Sequence, residues 1–427
     1  MQRLLAHLRS VKVINTHEHT LPENERTARP IDFFTLAGHY VINDVISAGL
    51  PAESLKIIND PQAASADRWR LFEPYWKSAQ FTGYSQALRI AMKDIYGEEI
   101  SGATLPKIND AIRARNQMGL YKYVLQERSN IQFSVLDDYW NTAPVRPDPE
   151  FFVLAHRFDR FVQPWTRDDI AQLENATGLS ISSLTALKQA LEKNFEHSLK
   201  AGMVTVKTGL AYERELLFHE VSEDDASRDF DRMIAGKESL PTGFHRRTER
   251  PFRKMEDYMF HQVLRLATAH GVSFQIHTGL TANNGNFVRN SDPTLLTNLF
   301  FLYPRLKFDL FHVSYPYQGE LSVVAKLFPN VYADFCWMHI VSPGAARRTL
   351  HDFLEMIPAN KIFGFGGDYR YPELSYGHLQ MALHNIAQVL AEKTESGFCT
   401  EDQAAELGRM LLRDNPQKLF SPRAKPA

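Results

Sequence analysis

Residues 11–19, VKVINTHEH, read as an apolar strand that ends in two histidines one residue apart. A strand sends alternate side chains to one face, so His17 and His19 point the same way from its C-terminal end. Two imidazoles placed like this can share a metal ion. With 16 histidines in the 427 residues, about one such pair arises by chance, so the weight of the motif rests on the rest of the chain.

Downstream of this strand, from Leu21 to about Arg128, no strand pattern stands out. DRWRLFEPYWKSAQ and YSQALRIAMKDIYG carry aromatic and aliphatic residues at helical spacing. We therefore expect a helical insertion at about 21–128, with Trp69, Phe72, Tyr75 and Trp76 packed in a core. Seven further strand segments follow: IQFSVLDD, FFVLAHRF, MVTVKTG, VSFQIHTG, KFDLFHVS, VYADFCW and KIFGFGGD. Helical stretches such as TALKQALEKNFEHSLKAG, RKMEDYMFHQVLRLATAHG and GHLQMALHNIAQVLAEKTESG lie among them, the first two stopping at a glycine just before the next strand. Eight strands alternating with helices predict parallel pairing and a closed (β/α)8 TIM-type barrel over residues 1–427, a single domain of the α/β class. An open doubly wound sheet is the alternative, but no glycine-rich phosphate loop follows any strand, which disfavours a nucleotide fold. The closing SPRAKPA reads as frayed.

Composition is that of an ordinary soluble protein, 44% apolar and 23% charged, with 48 basic against 50 acidic residues. This near-neutral balance speaks against nucleic acid or an anionic membrane as partner. No stretch is long and apolar enough for a membrane span, and Arg3, His7, Arg9 and Lys12 interrupt the first leucines, so no signal segment is expected and the location is read as cytoplasmic. Cys336 and Cys399 make no disulfide framework and no cysteine-based zinc site; both read as core or surface thiols. Self-association into a homo-oligomer is left open.

Polar groups recur at the trailing ends of the strands: His17 and His19 on the first, Lys207 on the fourth, His277 on the fifth, His312 on the sixth and Asp368 on the eighth. Any one of them alone reads better as a hydrogen-bonded core residue or a snorkelling lysine. Six at the same end of alternating elements are a ligand set for zinc or another first-row divalent ion.

The order His-x-His, Lys, His, His, Asp resembles the amidohydrolase superfamily of metal-dependent barrel enzymes. Its amidohydrolase-related branch is matched most closely by FQIHTGL, FHVSYPY, FPNVYADFCW, FGFGGDYR and DNPQKLF. GHYVINDVISAGLP, with His39 and Tyr40, and the Asp-x-Arg of Asp368 and Arg370 also look like uronate isomerase. The resemblance implies that His17, His19 and Asp368 bind a metal, with His277 a further ligand or beside it, and that a metal-bound water lies near Asp368. In two-metal members the fourth-strand lysine is carboxylated and bridges the ions; Lys207 occupies that place, so one or two ions are expected. His312 and Lys207 fit a hydrolase better, and Arg370, His39 and Tyr40 fit the isomerase better.

The main expectation is a metal-dependent hydrolase cleaving an amide, lactone or ester bond of a small, carboxylate-bearing substrate, with zinc as the expected ion. A bound ion lowers the pKa of its water from ~15.7 toward ~7. Asp368 then serves as proton acceptor and donor, and His312, if free of metal, steadies the oxyanion. Arg370 pairs with the substrate carboxylate, with Arg214 as second candidate. Trp337, Tyr315 and Tyr40 are candidates to line the pocket. The alternatives are a uronate isomerase-like aldose–ketose isomerase and a metal-dependent decarboxylase.

Overall fold

A computed structural model describes residues 1–236, 239–243 and 245–421. The frayed reading of SPRAKPA therefore falls, beyond Ser421, outside the described residues. Eight strands lie side by side in chain order: β1 (Val13–Glu18), β2 (Ile131–Asp137), β3 (Phe152–Arg157), β4 (Met203–Thr208), β5 (Ser273–Ile276), β6 (Phe308–Leu310), β7 (Val331–Asp334) and β8 (Ile362–Phe363). Each neighbouring pair is parallel. β8 is too short to ladder with β1. Three backbone bonds close the barrel beyond it: Thr16 N to the Phe365 carbonyl at 3.1 Å, Asp368 N to the His17 carbonyl at 2.9 Å and His19 N to the Tyr369 carbonyl at 3.0 Å.

Every residue of β1 and of β4 is buried, as expected of strands with a packed interior on one face and helices on the other. One end of the barrel is filled by Ile14, Phe133, Val135, Val153, Ala155, Val204 and Phe363, with Phe420 packed against them. A larger apolar layer joins the outer faces of the strands to the helices. The chain between β1 and β2 is helical, its longest elements being α1 (Ser65–Ala79) and α2 (Gly83–Tyr96). Thr82 caps α2 by accepting from Ser85 N, and left-handed Gly97 ends it. Trp69, Phe72 and Trp76 are core residues, as expected, and Tyr75 is half-buried. Among the described residues no helix is long and apolar enough to cross a membrane.

α2 packs on α3 (Pro372–Glu395), the helix that follows β8. The contact needs Gly377, because a Cβ there would sit 2.1 Å from the Ala87 carbonyl oxygen. Backbone-to-backbone approach of this kind ties the insertion to the barrel. Gly377→Ala must push α2 and α3 apart, and we expect it to cost about 1–3 kcal/mol, seen as a lower midpoint in denaturant. An unchanged midpoint would mean that the helices separate without penalty.

Candidate metal centre and its surroundings

The trailing ends of several strands leave extended geometry where the sequence pattern continues. β6 stops at Leu310, and His312, Val313 and Ser314 follow with φ of 62°, 41° and 55°. β8 stops at Phe363, and Asp368 has φ 59°. Asp368 and Arg370, although two residues apart, therefore do not share a strand face. What holds Asp368 is its own N–H on the His17 carbonyl and the Tyr40 hydroxyl, which donates to the Asp368 carbonyl at 2.7 Å. Gly367, just before it, leaves room for the buried Glu18: a Cβ there would meet Glu18 Oε1 at 1.9 Å. Glu18 in turn accepts from Tyr369 N at 2.8 Å, and burial pushes its carboxyl up to about 8.

These bonds bring together the first and last chemical groups of the barrel. Asp368 Oδ1 lies 3.1 Å from His19 Nε2 and 3.6 Å from His17 Nε2. Donor atoms sharing one tetrahedral ion through bonds of ~2.0–2.1 Å stand about 3.3 Å apart, so this trio fits a divalent cation. The Nδ1 atoms of His17 and His19 are buried without a hydrogen-bond partner. Burial, then the charge of Lys207, holds the His17 imidazole well below its usual pKa, in the neutral form that a metal ligand requires. Burial alone would raise the Asp368 carboxyl, but its hydrogen bond with His19 together with the fields of His19, His17 and His312 outweighs that and holds it well below the usual carboxylate range.

Asp137, the last residue of β2, was missed by the sequence reading. Its Oδ2 is 3.5 Å from His17 Nε2 and 3.8 Å from His19 Nδ1. Arg157 Nε donates to both of its oxygens, at 3.0 and 2.9 Å. The acidic pair in VLDD, at the end of a strand, was the available signal.

His312 and His277 form a second group. A carbonyl oxygen can only accept, so the 2.8 Å contact of His312 Nδ1 with the Cys336 carbonyl and the 2.9 Å contact of His277 Nε2 with the Leu280 carbonyl each put a proton on that nitrogen. The remaining nitrogens, His312 Nε2 and His277 Nδ1, face each other at 3.1 Å. Burial pushes His312 down to about 4 and His277 well below its ordinary value. Cys336, read from the sequence as a core or surface thiol, is fully buried beside this pair, one donor atom each of His312, Cys336 and Asp368 lying within 4.8 Å of one another.

Lys207 is buried with its ammonium 3.3 Å from the centroid of the Phe311 ring. Burial, reinforced by Arg157, pushes it down to about 8. Tyr40, held at φ 75°, stacks on His39 at 4.2 Å and lies 5.0 Å from the Trp337 ring, which in turn lies 5.0 Å from His312. Burial, then the charge of Arg370, pushes His39 down to about 3. Trp337 Nε1 and His39 Nδ1 are buried donor-capable atoms without partners. Tyr315 contributes backbone: its N–H donates to the His312 carbonyl at 2.9 Å and its carbonyl accepts from Leu280 N at 2.6 Å, with the ring half-buried against the core.

Arg370 donates to the Tyr139 hydroxyl and lies 4.5 Å over the Trp140 ring. It lines two cavities, one of about 720 Å³ shared with Asp137, Trp140 and Arg146, and one of about 320 Å³ shared with His39. His17, His19 and Asp368 line neither of these cavities; the Tyr139 ring packs edge-on against His19, with 4.9 Å between ring centroids. Arg214 does not belong here. It is fully buried, with Nη1 on Glu256 at 2.8 Å, Nη2 on Asp257 at 2.6 Å and the Leu217 carbonyl at 2.8 Å, and Nε on the Glu215 carbonyl at 3.2 Å. With its donors engaged in this network, Arg214 is a structural ion-pair residue and not a substrate contact.

The donor set at the C-terminal end of this eight-stranded parallel barrel is one that can hold a divalent cation, and residues 223–421, slightly under half of the chain, match the family model described as Amidohydrolase. This bears out the resemblance to the amidohydrolase superfamily; within it, the similarity is to uronate isomerase. The uronate isomerase of Brucella canis is 25% identical over 451 aligned positions, covering 96% of this chain and 94% of the relative. That of Nostoc punctiforme is 22% identical, with 97% and 94% covered. Protein fluG of Emericella nidulans is 28% identical over 180 residues, 41% of this chain and 21% of that protein. The fold is that of the uronate isomerase from Thermotoga maritima, with a TM-score of 0.81 at 17% identity over 98% of this chain and 96% of that one. It also matches the glucuronate isomerase from Caulobacter crescentus, with a TM-score of 0.77 at 19% identity over 99% and 94%. The hydrolase expected from the sequence is thereby corrected: relatives matched along nearly their whole length are isomerases, and they favour the alternative.

We expect His17→Ala to lower the bound divalent metal measured by elemental analysis at least tenfold while leaving the circular dichroism unchanged; undiminished metal would remove His17 from the centre. Arg214→Ala should do the reverse, keeping metal but destabilising the fold by about 1–3 kcal/mol, because Glu256 keeps Arg250 at 2.6 Å while Asp257 is left with the His219 N–H and the more distant Arg253. Metal loss with unchanged stability would reverse the two assignments.

Proposed function

We propose that this protein is an aldose–ketose isomerase acting on a uronic acid. The observation that carries the reading is the conjunction of whole-length similarity to uronate isomerases with Tyr40 bonded to the carbonyl of Asp368, whose side chain meets His17 and His19. The His39–Tyr40 pair and the Asp368-x-Arg370 sequence are the features by which the chain was likened to that family, and here they meet at one point.

Isomerisation moves a proton from C2 of the open-chain aldose to C1 and shifts the hydroxyl proton from O2 to O1. Asp368, kept ionised by its hydrogen bond with His19 and the fields of the neighbouring imidazoles, is the base for the C2 proton and returns it to C1. Zinc or a similar ion suits a set of two imidazoles and a carboxylate. Held by His17, His19 and Asp368, such an ion supplies Lewis-acid polarisation of the substrate oxygens. Tyr40 keeps the Asp368 backbone in its left-handed turn, and Trp337 Nε1 and His39 Nδ1 offer unsatisfied polar atoms to sugar hydroxyls. Arg370 receives the substrate carboxylate in exchange for its bond to Tyr139. Lys207 acts here as an unmodified amine.

The metal-loaded protein should convert glucuronate or a related hexuronate to a ketose of the same mass, followed by loss of the aldehyde proton in NMR. Absence of conversion across a panel of uronic acids, with metal bound, would overturn the reading. Arg370→Lys should reduce turnover of the uronate roughly tenfold to a hundredfold, as a lost charge-assisted bond of about 1.5–3 kcal/mol implies. A neutral aldose should be affected far less; equal losses on both would assign Arg370 to the loop instead of the substrate.

A further inference from the structure

We propose that the cavity of about 720 Å³ beside the metal centre is the seat of a second sugar residue, so that the substrate is a disaccharide or longer chain with the uronic acid at its reducing end. This rests on the isomerase reading and narrows its substrate class. The cavity arises from a gap in the outer layer of the barrel. Every other strand is followed by an α-helix, but β2 runs into β3 through residues 138–151, an irregular connection of turns. Parallel barrel strands need cover on both faces. Val135 and Val153 fill the barrel interior, so their neighbours Leu136 and Phe152 turn outward into the outer layer, and both stand in the cavity wall.

The cavity adjoins the reacting groups. Its wall includes Thr20, next in sequence to His19, then Asp137, whose carboxylate stands 3.5 Å from His17 Nε2, and Arg370. The chemistry of isomerisation fixes which part of a uronate can carry a substituent into it. C1 and the O2 hydroxyl must be free to react, the C6 carboxylate is committed to Arg370, and O5 closes the pyranose ring of the resting sugar. Only O3 and O4 remain, and both lie between the reacting carbons and the carboxylate, the side on which Arg370 borders the cavity. The lining selects a sugar over other occupants. Met118, Trp140 and Val145 are exposed apolar side chains in its wall, and Glu25, Arg29 and Asp148 stand among them. A purely apolar molecule would strip water from these charges without replacing it, and a small inorganic anion would leave the apolar side chains unused. A sugar ring offers an apolar C–H face together with a rim of hydroxyls. The volume, too, lies in the range of ~300–1000 Å³ that encloses a whole small ligand, more than one hexuronate fills.

With metal-loaded protein, 4-linked digalacturonate should be isomerised at its reducing end with a KM roughly tenfold below that of galacturonate and a similar kcat, because contacts remote from the reacting carbons are made equally in ground and transition states. Met118→Trp, a substitution at an exposed position of the wall, should raise the KM of the disaccharide toward that of the monosaccharide and leave galacturonate unchanged. Calorimetry with the borohydride-reduced sugars, which have no aldehyde to isomerise, should show the same preference for the disaccharide and its loss in Met118→Trp. Isomerisation of galacturonate with no preference for the disaccharide in either measurement would overturn the proposal and leave the isomerase reading in place. A binding preference in a protein that isomerises neither sugar would keep the sugar site and remove the isomerase. Self-association abolished by Met118→Trp, with no disaccharide preference, would overturn the proposal by assigning the cavity to a second copy of the chain.

Discussion

One backbone hydrogen bond, from Asp368 N to the His17 carbonyl, governs the arrangement of the site. β8 is only two residues long, so the barrel closes through the irregular GFGGD segment and not through a ladder. That closure sets the carboxylate of the last strand against the imidazoles of the first. Its geometry is crowded from both sides: Glu18 fills the space a side chain at Gly367 would need, and Tyr40 holds the Asp368 carbonyl. A left-handed, non-glycine residue at a closure point is a sparsely populated conformation that persists only where surrounding contacts over-determine it.

The same economy governs the imidazoles. His312, His277 and His378 each meet a backbone carbonyl through one ring nitrogen, so their tautomers follow from the main chain and not from solvent. His378 reaches the Gly367 carbonyl, immediately before Asp368. Desolvation keeps all three neutral. Orienting a ring through its second nitrogen is how proteins fix the basicity and direction of a metal-ligating histidine, and in this barrel the backbone performs that task.

Much of the fold was legible in the sequence, since fully buried parallel strands leave β-branched runs and the helices between them leave a 3.6-residue period. The strand ends were less legible. KFDLFHVS and KIFGFGGD look like continuous strands, but positive φ at His312 and at Asp368 breaks them, and beyond those points alternation no longer says which way a side chain faces. Asp137 was passed over because an acidic pair at a strand end is a weaker signal than His-x-His, and no motif of the resembled family falls on it. Arg214 was misplaced because its partners, Glu256 and Asp257, lie about forty residues away on another helix. The hydrolase expectation gave His312 and Lys207 more weight than Arg370, His39 and Tyr40, whereas the relatives matched along nearly their whole length are isomerases.

The closure between the two ends of the chain also bears on how the protein is made. Glu18 and Tyr369 are hydrogen-bonded although 351 positions apart. At about 5–20 residues per second, synthesis leaves His17 and His19 without their carboxylate partner for roughly 20–70 seconds after they are made. The centre therefore cannot template the early chain. It is assembled last, when GFGGD reaches β1, and loading with metal is a property of the finished barrel, not of a nascent one.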